Sequence, residues 1–131
     1  MVEIVPHITF IGDVMTTVDK VVKQFSSPFY QVYKNARQSA DVAEKAFFAK
    51  HGEPIYPCGF AWVVITDGRS PFVRWLKSCN IGNKNYGKGW QIWNPNESMT
   101  QSVDIKEAGA RAFAEALQAQ GIECYYSSRL D

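Results

Sequence analysis

The apolar residues in the first half of the chain recur at helical spacing. Asp13 can cap a helix that runs to about Phe25. Ser27 followed by Pro28 predicts the start of a second helix, because proline at the first helical position gives up a donor that has no partner there. Gly52 predicts its end. The apolar positions of the two helices are Val14, Val18, Val21, Val22, Phe25, Phe29, Val32, Tyr33, Ala36, Ala40, Ala43, Phe47 and Phe48.

From residue 56 onward the period of the pattern changes. Residues 60–66, FAWVVIT, are apolar at both alternating sets of positions, which predicts a central strand covered on both faces. Ser70 and Pro71 then begin a short helix. Residues 90–93, WQIW, predict a second strand. The apolar stripe of the short helix consists of Phe72, Trp75, Leu76 and Cys79.

A long helix and a last strand complete the predicted order. Asp104 and Glu107 have the spacing of a capping box with aspartate as the cap, and Gly121 ends the helix. Residues 122–127 predict the last strand, which gives the order strand, helix, strand, helix, strand. Small residues would let the long helix lie close to the sheet. These residues are Gly109, Ala110, Ala112 and Ala114.

These elements predict an α+β fold in which a helical N-terminal half packs on a small sheet. The chain has 131 residues, of which 46% are hydrophobic, so one domain can bury roughly two-thirds of the surface that its unfolded chain would expose. We expect a single domain over residues 1–131. Residues 1–55 form its mainly helical half and residues 56–131 its mixed half.

Composition indicates the cellular compartment of the protein and the partners it can bind. The net charge of +1 is too small for a protein that coats nucleic acid through bulk charge. The three cysteines, Cys58, Cys79 and Cys124, include no CxxC pair, which favours a reducing cytoplasm. No apolar run is long enough for a membrane span, and MVEIVPHITF lacks the pattern of a signal peptide. We therefore expect a cytoplasmic protein with no membrane partner.

Charge is nevertheless uneven along the chain. Residues 68–96 contain five bases and no acid, and we call this stretch the basic segment. Within it, NIGNKNYGKGWQIW (residues 80–93) combines lysines, glycines and aromatic residues, the ingredients of sites that hold phosphates and stack on bases. Tyr86 is the first candidate for stacking on a base. A regular strand points Trp90 and Trp93 to different faces, so only one of these two tryptophans can join Tyr86 as the second candidate. The predicted ligand-binding residues are Arg74, Lys77, Lys84, Tyr86, Lys88 and Trp90.

A purely structural interpretation of the same residues stays open. Asn and Gly form turns, lysines solvate loops, and tryptophans near strands commonly belong to cores. The glycines match no phosphate-loop or dinucleotide fingerprint. Paired metal-ligand spacings are absent, and Cys58 or Cys79 with His51 as a base would be the nucleophile candidates. We expect no metal, cofactor or catalytic residue, and the sequence favours a binding protein over an enzyme.

Four stretches of the second half carry a resemblance: PCGFAWV (57–63), FVRWLK (72–77), KEAGARAFAEAL (106–117) and SRLD (128–131). They resemble a family of small uncharacterised tailed-bacteriophage proteins. The resemblance covers about residues 56–131 and carries no assigned activity. It implies the cytoplasm of an infected bacterial cell, where small proteins of this kind mostly act by binding nucleic acid, nucleotides or a host protein.

Two functional hypotheses follow. In the first, the basic and aromatic residues of the basic segment bind nucleic acid or a phosphorylated nucleotide. In the second, exposed aromatic residues bind a host protein, for example a defence factor, as an inhibitor or adaptor. The candidates for that surface are Tyr86, Trp93, Tyr125 and Tyr126. A structural role in a symmetric oligomer, such as a homodimer, is a third possibility.

Overall fold

The computed structural model describes residues 18–19, 21–22, 24–52 and 58–131 and has an α+β fold. The described residues between 18 and 26 are helical, as predicted, and the predicted start of that helix at Asp13 lies outside the described residues. Helix α1 spans Pro28–His51. The Ser27 side chain accepts a hydrogen bond from the Phe29 amide, and Gly52 follows the helix with a φ of 77°. Both predicted ends of α1 are confirmed.

The sheet contains four strands within the described part of the chain, and all neighbouring pairs are antiparallel. Strand β1 (Gly59–Ile65) lies between β3 (Trp90–Trp93) and β4 (Cys124–Leu130). A strand of only two residues, β2 (Asn83–Lys84), adds to β3 and was not predicted because both of its residues are polar. The predicted strand, helix, strand, helix, strand order is otherwise confirmed.

Helices cover one face of this sheet. Helix α2 (Pro71–Ser78) follows β1, and helix α3 (Val103–Ala119) precedes β4. The core residues of β1 alternate along the strand and pack with apolar residues of all three helices. The core consists of Ala36, Ala40, Ala61, Val63, Ile65, Phe72, Val73, Trp75, Leu76, Ile92, Ala110, Phe113, Ala114, Leu117 and Cys124. The helical N-terminal half therefore packs on the sheet through a shared core.

The other face of β1 carries Phe60, Trp62 and Val64. Val64 is buried, whereas Phe60 and Trp62 are only half-buried. The Lys106 ammonium of α3 lies 5.3 Å from the centre of the Phe60 ring, whereas Trp62 stacks on Trp93 of β3. The prediction of a strand covered on both faces is thus confirmed for the helix-covered face alone.

The start of α3 differs from the prediction. Ser102, not Asp104, is the N-cap, and its hydroxyl accepts a hydrogen bond from the Ile105 amide at 3.4 Å. Asp104 lies in the first turn, where a negative charge interacts favourably with the helix dipole. Ser102 occupies the cap position because an isolated bridge with Cys58 holds it in extended backbone beside β1.

Gly121 ends α3 as predicted. It has a φ of 82°, and its amide and that of Ile122 donate to the carbonyls of Gln118 and Leu117 at 2.9 and 3.1 Å. This αL cap uses Ile122, the first residue of the predicted last strand, so β4 begins at Cys124, later than predicted. Strand β4 continues to Leu130 because it pairs with β1 along its whole length.

One of the small residues of α3 has a different role from the one predicted. Gly109 lies against the carboxylate of Glu44 on α1, so it allows the two helices to approach rather than α3 and the sheet. Burial raises the pKa of the Glu44 carboxyl, while hydrogen bonds from Asn96 and Ser98 act in the opposite direction. In the described ranges, no helix is long and apolar enough to cross a membrane.

Candidate functional site

The centre of the basic segment folds as a β-hairpin. Strands β2 and β3 pair through Asn83 with Gln91 and Lys84 with Trp90. Asn85 closes the connecting loop: its amide donates to the Gly89 carbonyl at 3.0 Å and its side-chain Nδ2 to the Lys88 carbonyl at 2.7 Å. The loop therefore has a defined backbone that places Lys84 and Lys88 on its two sides.

The connection between β1 and α2 lies beside this hairpin. The Asp67 carboxylate accepts a hydrogen bond from the Arg69 amide at 2.9 Å, and the Ser70 hydroxyl accepts one from the Val73 amide at 3.2 Å. These two local bonds set the turn into α2 and place Arg69 just before its N-cap, Ser70. The backbones of Gly68 and Gly89 lie close enough for the two loops to pack together.

The two loops and α2 enclose a cleft of about 720 Å³. It is lined by Thr66, Asp67, Gly68, Arg69, Lys77, Lys84, Gly87, Lys88, Gly89 and Trp90. We call it the basic cleft, because four of its residues are basic and one is acidic. Its basic side chains come from three segments: the β1–α2 connection, α2 and the hairpin.

Lys77 and Trp90 meet inside the basic cleft. The Lys77 ammonium lies 5.0 Å from the centre of the Trp90 ring and donates to the Gly68 carbonyl at 3.4 Å. The Trp90 indole donates its N–H to the Ile81 carbonyl at 2.9 Å. Trp90 is thus fixed at its polar edge and covered on one face by a cation, an arrangement in which the ring orients Lys77.

Of the six residues predicted to bind a ligand, four line the basic cleft: Lys77, Lys84, Lys88 and Trp90. The other two, Arg74 and Tyr86, are exposed and are not among its lining residues. Arg74 lies one turn before Lys77 on α2, and Tyr86 projects from the tip of the hairpin loop, where it is fully exposed.

Arg69 completes the basic cleft and was not among the predicted site residues. Arg69 belongs to the basic segment, but a count of charges does not distinguish an arginine in a loop, such as Arg69, from one on a helix, such as Arg74. The only local signal was the Ser70–Pro71 helix start, which puts Arg69 in the connection that follows the central strand.

This arrangement suits anions. Lysine ammonium and arginine guanidinium groups donate hydrogen bonds to phosphate oxygens, and Arg can do so with two parallel bonds. Arg69, Lys84 and Lys88 are exposed, so their attraction for an anion is screened by salt. The cleft can therefore hold phosphate groups with an affinity that depends strongly on ionic strength.

Other chemistry has less support in the described residues. No group of three or more His, Cys, Asp or Glu side chains there could hold a metal ion. Burial raises the pKa of the Cys124 thiol to about 11, and its Sγ donates to the Ala114 carbonyl. Such a thiol is a poor nucleophile near neutral pH because the thiolate is the reactive form.

A comparison of the chain with protein-family models, with curated proteins and with solved structures found no match in any of the three. The function is therefore inferred from the residues of the chain itself. The resemblance of residues 56–131 to tailed-phage proteins stays a prediction.

Proposed function

We propose that this chain is a non-enzymatic protein that binds the phosphates of nucleic acid or of a phosphorylated nucleotide in the basic cleft. One observation carries the proposal: four basic residues from three separate segments line the same cavity. A solvated surface has no need to gather like charges, because lysines that repel one another are more stable when spread apart.

The partners of the cleft residues support the same interpretation. Among the described residues, the Lys84 and Lys88 side chains form no hydrogen bond and no salt bridge. The single acid of the cleft, Asp67, accepts a hydrogen bond from the backbone of the turn. Two glycines of the hairpin line the wall, where the absence of a side chain lets a ligand approach the backbone.

The setting that belongs to this proposal is the cytoplasm of an infected bacterial cell, as the phage resemblance implies. A small protein there meets both nucleotides and single-stranded or duplex nucleic acid. The shared chemistry of these ligands is the phosphate group, and the experiment below distinguishes among them.

The runner-up is a protein-binding inhibitor or adaptor that uses exposed aromatic residues. Tyr86, Trp93, Tyr125 and Tyr126 are all exposed, which favours it. Two of the four, Trp93 and Tyr125, share a face of the sheet, but the other two lie elsewhere. Tyr125 and Tyr126 pair with Val64 and Val63, which face opposite sides of the sheet, and Tyr86 lies on the hairpin tip. An interface hot spot requires clustered anchors, so this candidate has weaker support.

The test is fluorescence anisotropy of labelled single-stranded DNA, single-stranded RNA and duplex DNA with the nuclease-treated protein at several salt concentrations, with nucleotides added as competitors. The variant Lys84→Ala/Lys88→Ala is compared with wild type. If each lysine contacts one phosphate of a single strand, the slope of log K against log salt becomes shallower by about 1.4, since each contact contributes about 0.7.

The matched control is Lys34→Ala/Lys50→Ala, which removes the same charge from exposed positions of α1. The proposal expects this control to bind like wild type. Equal losses in both double variants would show that only net charge matters. Binding that is unchanged by Lys84→Ala/Lys88→Ala and by salt would contradict the basic cleft, and a stable complex with a host protein after nuclease treatment would favour the runner-up.

A further inference from the structure

The face of the sheet opposite the helices carries a row of aromatic side chains with one arginine. The strand pairs Trp62 with Trp93 and Phe60 with Arg129 place these four residues on the same face, because directly paired residues of antiparallel strands share a face. Tyr125, paired with Val64, lies on it as well. We call Phe60, Trp62, Trp93, Tyr125 and Arg129 the aromatic face.

Three rings of this face, those of Phe60, Trp62 and Trp93, are close to one another. Trp62 and Trp93 stack with 4.6 Å between ring centroids, and Phe60 meets Trp93 edge to face at 5.8 Å. The Arg129 guanidinium lies 5.5 Å from the Phe60 ring and 5.9 Å from the Trp93 ring. Trp93 nevertheless keeps 38% and Tyr125 48% of its surface exposed. Contiguous apolar surface that stays exposed is typical of interaction sites.

Arg129 is the cation of the aromatic face, and an acid follows it two residues later: Asp131, whose amide donates to the Cys58 carbonyl at 3.0 Å. Among the described strand residues that alternate onto it, Arg129 is charged and none is acidic, the uncharged polar ones being Asn83, Gln91 and Ser127. Glu123, which precedes β4, lies at the end remote from Arg129. Exposed rings beside a guanidinium are complementary to a ligand that combines flat bases with phosphates. A sheet that stacks bases on its aromatic residues is one of the physical solutions for binding single strands.

We propose that the aromatic face stacks the bases of a single-stranded nucleic acid, with Arg129 as its contact to a phosphate. Duplex DNA does not fit this role, because its bases already stack on one another inside the helix. The inference rests on the proposed function for the class of ligand and deepens it, since it selects single strands among the phosphate-bearing ligands.

An oligonucleotide must pass around the sheet to reach both surfaces, because Trp90 of the basic cleft and Trp93 of the aromatic face point to opposite sides of it. The basic cleft begins at the end of β1, where Thr66 follows Ile65. Single-strand binding domains commonly contact about 4–16 nucleotides, so the upper part of that range is the length to test. An oligonucleotide that reaches both surfaces gains affinity through the high effective concentration of its second part.

The structure offers a matched pair of variants to test this. Tyr125 and Tyr126 are adjacent in β4 and similarly exposed, at 48% and 40%, but they lie on opposite faces of the sheet. Tyr126 faces the helices and lines a cavity with Phe47 and Arg111. Tyr125→Ala removes a ring from the aromatic face, whereas Tyr126→Ala removes the same ring from the other side. Arg129→Ala removes the cation of the face.

The probes are labelled single strands of DNA and RNA of about 15 nucleotides, the upper part of the usual site size, and an abasic strand of the same length. We expect Tyr125→Ala to weaken binding of the base-containing strands about tenfold and to leave binding of the abasic strand unchanged. Arg129→Ala should weaken binding of all three, and Tyr126→Ala of none. Comparison of the affinities for the DNA and RNA strands shows which of the two nucleic acids the protein prefers.

Three outcomes overturn the inference. Equal effects of Tyr125→Ala and Tyr126→Ala would show that the loss is not specific to the aromatic face. Unchanged affinity in Tyr125→Ala and Arg129→Ala, together with a loss in Lys84→Ala/Lys88→Ala, would leave the basic cleft as the whole site. Nucleotide binding without any binding of oligonucleotides would overturn the inference while the proposed function of the cleft stands.

Discussion

Substitution of one loop glycine tests whether the basic cleft depends on the contact between its two loops. Gly89 has a φ of 99°, and a Cβ on it would overlap the carbonyl oxygen of Ile65, the last residue of β1. Gly87, two residues earlier in the same loop, has a φ of 117° and no heavy atom within 4 Å of a Cβ. Gly87→Ala is therefore the control for Gly89→Ala, because both place alanine at positive φ and only one adds the overlap.

The magnitudes follow from these two contributions. A residue with a side chain at positive φ costs about 1–2 kcal/mol, and this cost applies to both variants. Forcing an extra methyl group against packed backbone costs about 1–3 kcal/mol more, which applies to Gly89→Ala alone. We expect the free energy of unfolding to fall by about 1–2 kcal/mol in Gly87→Ala and by about 2–5 kcal/mol in Gly89→Ala.

Urea unfolding monitored by tryptophan fluorescence measures the difference. The neighbouring residue Trp90 pairs with Ile65, so a displaced Gly89 also moves one wall of the cleft. Gly89→Ala should therefore weaken nucleotide or oligonucleotide binding more than Gly87→Ala does. Equal stability and equal affinity of the two variants would refute the close contact between the hairpin and the end of β1.

Two further predictions concern α3 and its contact with α1. Ser102→Ala should lower the free energy of unfolding by about 1 kcal/mol through loss of the N-cap. Asp104→Ala should lower it by less, about 0.3–1 kcal/mol, through loss of the interaction with the helix dipole. Denaturant unfolding that ranks the two variants in the opposite order would indicate that Asp104 is the cap. Because burial raises the pKa of Glu44 above its ordinary value of 4.5, its ionisation costs stability as the pH rises from 4.5 through the folded-state pKa. Glu44→Gln should therefore gain stability relative to wild type across that window and keep the gain at higher pH, and a constant difference at all pH values would contradict the burial of this charge.

Helix ends were predictable from sequence where the signal is local. Ser27–Pro28 and Ser70–Pro71 supply both the side-chain acceptor and the fixed φ within adjacent residues, and both helices begin there. The start of α3 was not predictable in this way, because aspartate is favoured both as a cap and in the first turn. The choice between Ser102 and Asp104 depends on the bridge to Cys58, a contact with a residue distant in sequence.

The residues of the candidate site were likewise predictable only where the signal is local in sequence. Charge counting found the basic segment and four residues of the basic cleft, because they lie near one another in sequence. It could not separate Arg69 from Arg74, since only the turn into α2 decides which of them faces the hairpin. The two faces for Trp90 and Trp93 followed from strand alternation and are confirmed.

The aromatic face required the register of the sheet. Phe60, Trp93 and Arg129 come from three strands that are far apart in the chain, and they share a face only because β1 pairs with β3 at Trp62 and with β4 at Phe60. A shift of one residue in either pairing would move every partner to the other face. Sequence alone indicates which residues are aromatic but not which of them meet.

The contact of Lys77 with Trp90 indicates which lysines of the basic cleft contribute most to binding of a phosphate. Lys77 already has the Trp90 ring at 5.0 Å and the Gly68 carbonyl at 3.4 Å, so a phosphate must compete with both or share its ammonium with them. Lys84 and Lys88 have no such partners among the described residues and lose only water on binding. A cation that is held in place before binding loses less side-chain entropy but gains less new interaction. Lys84 and Lys88 should therefore contribute most of the salt-dependent affinity, while Lys77 and Trp90 hold the shape of the cleft.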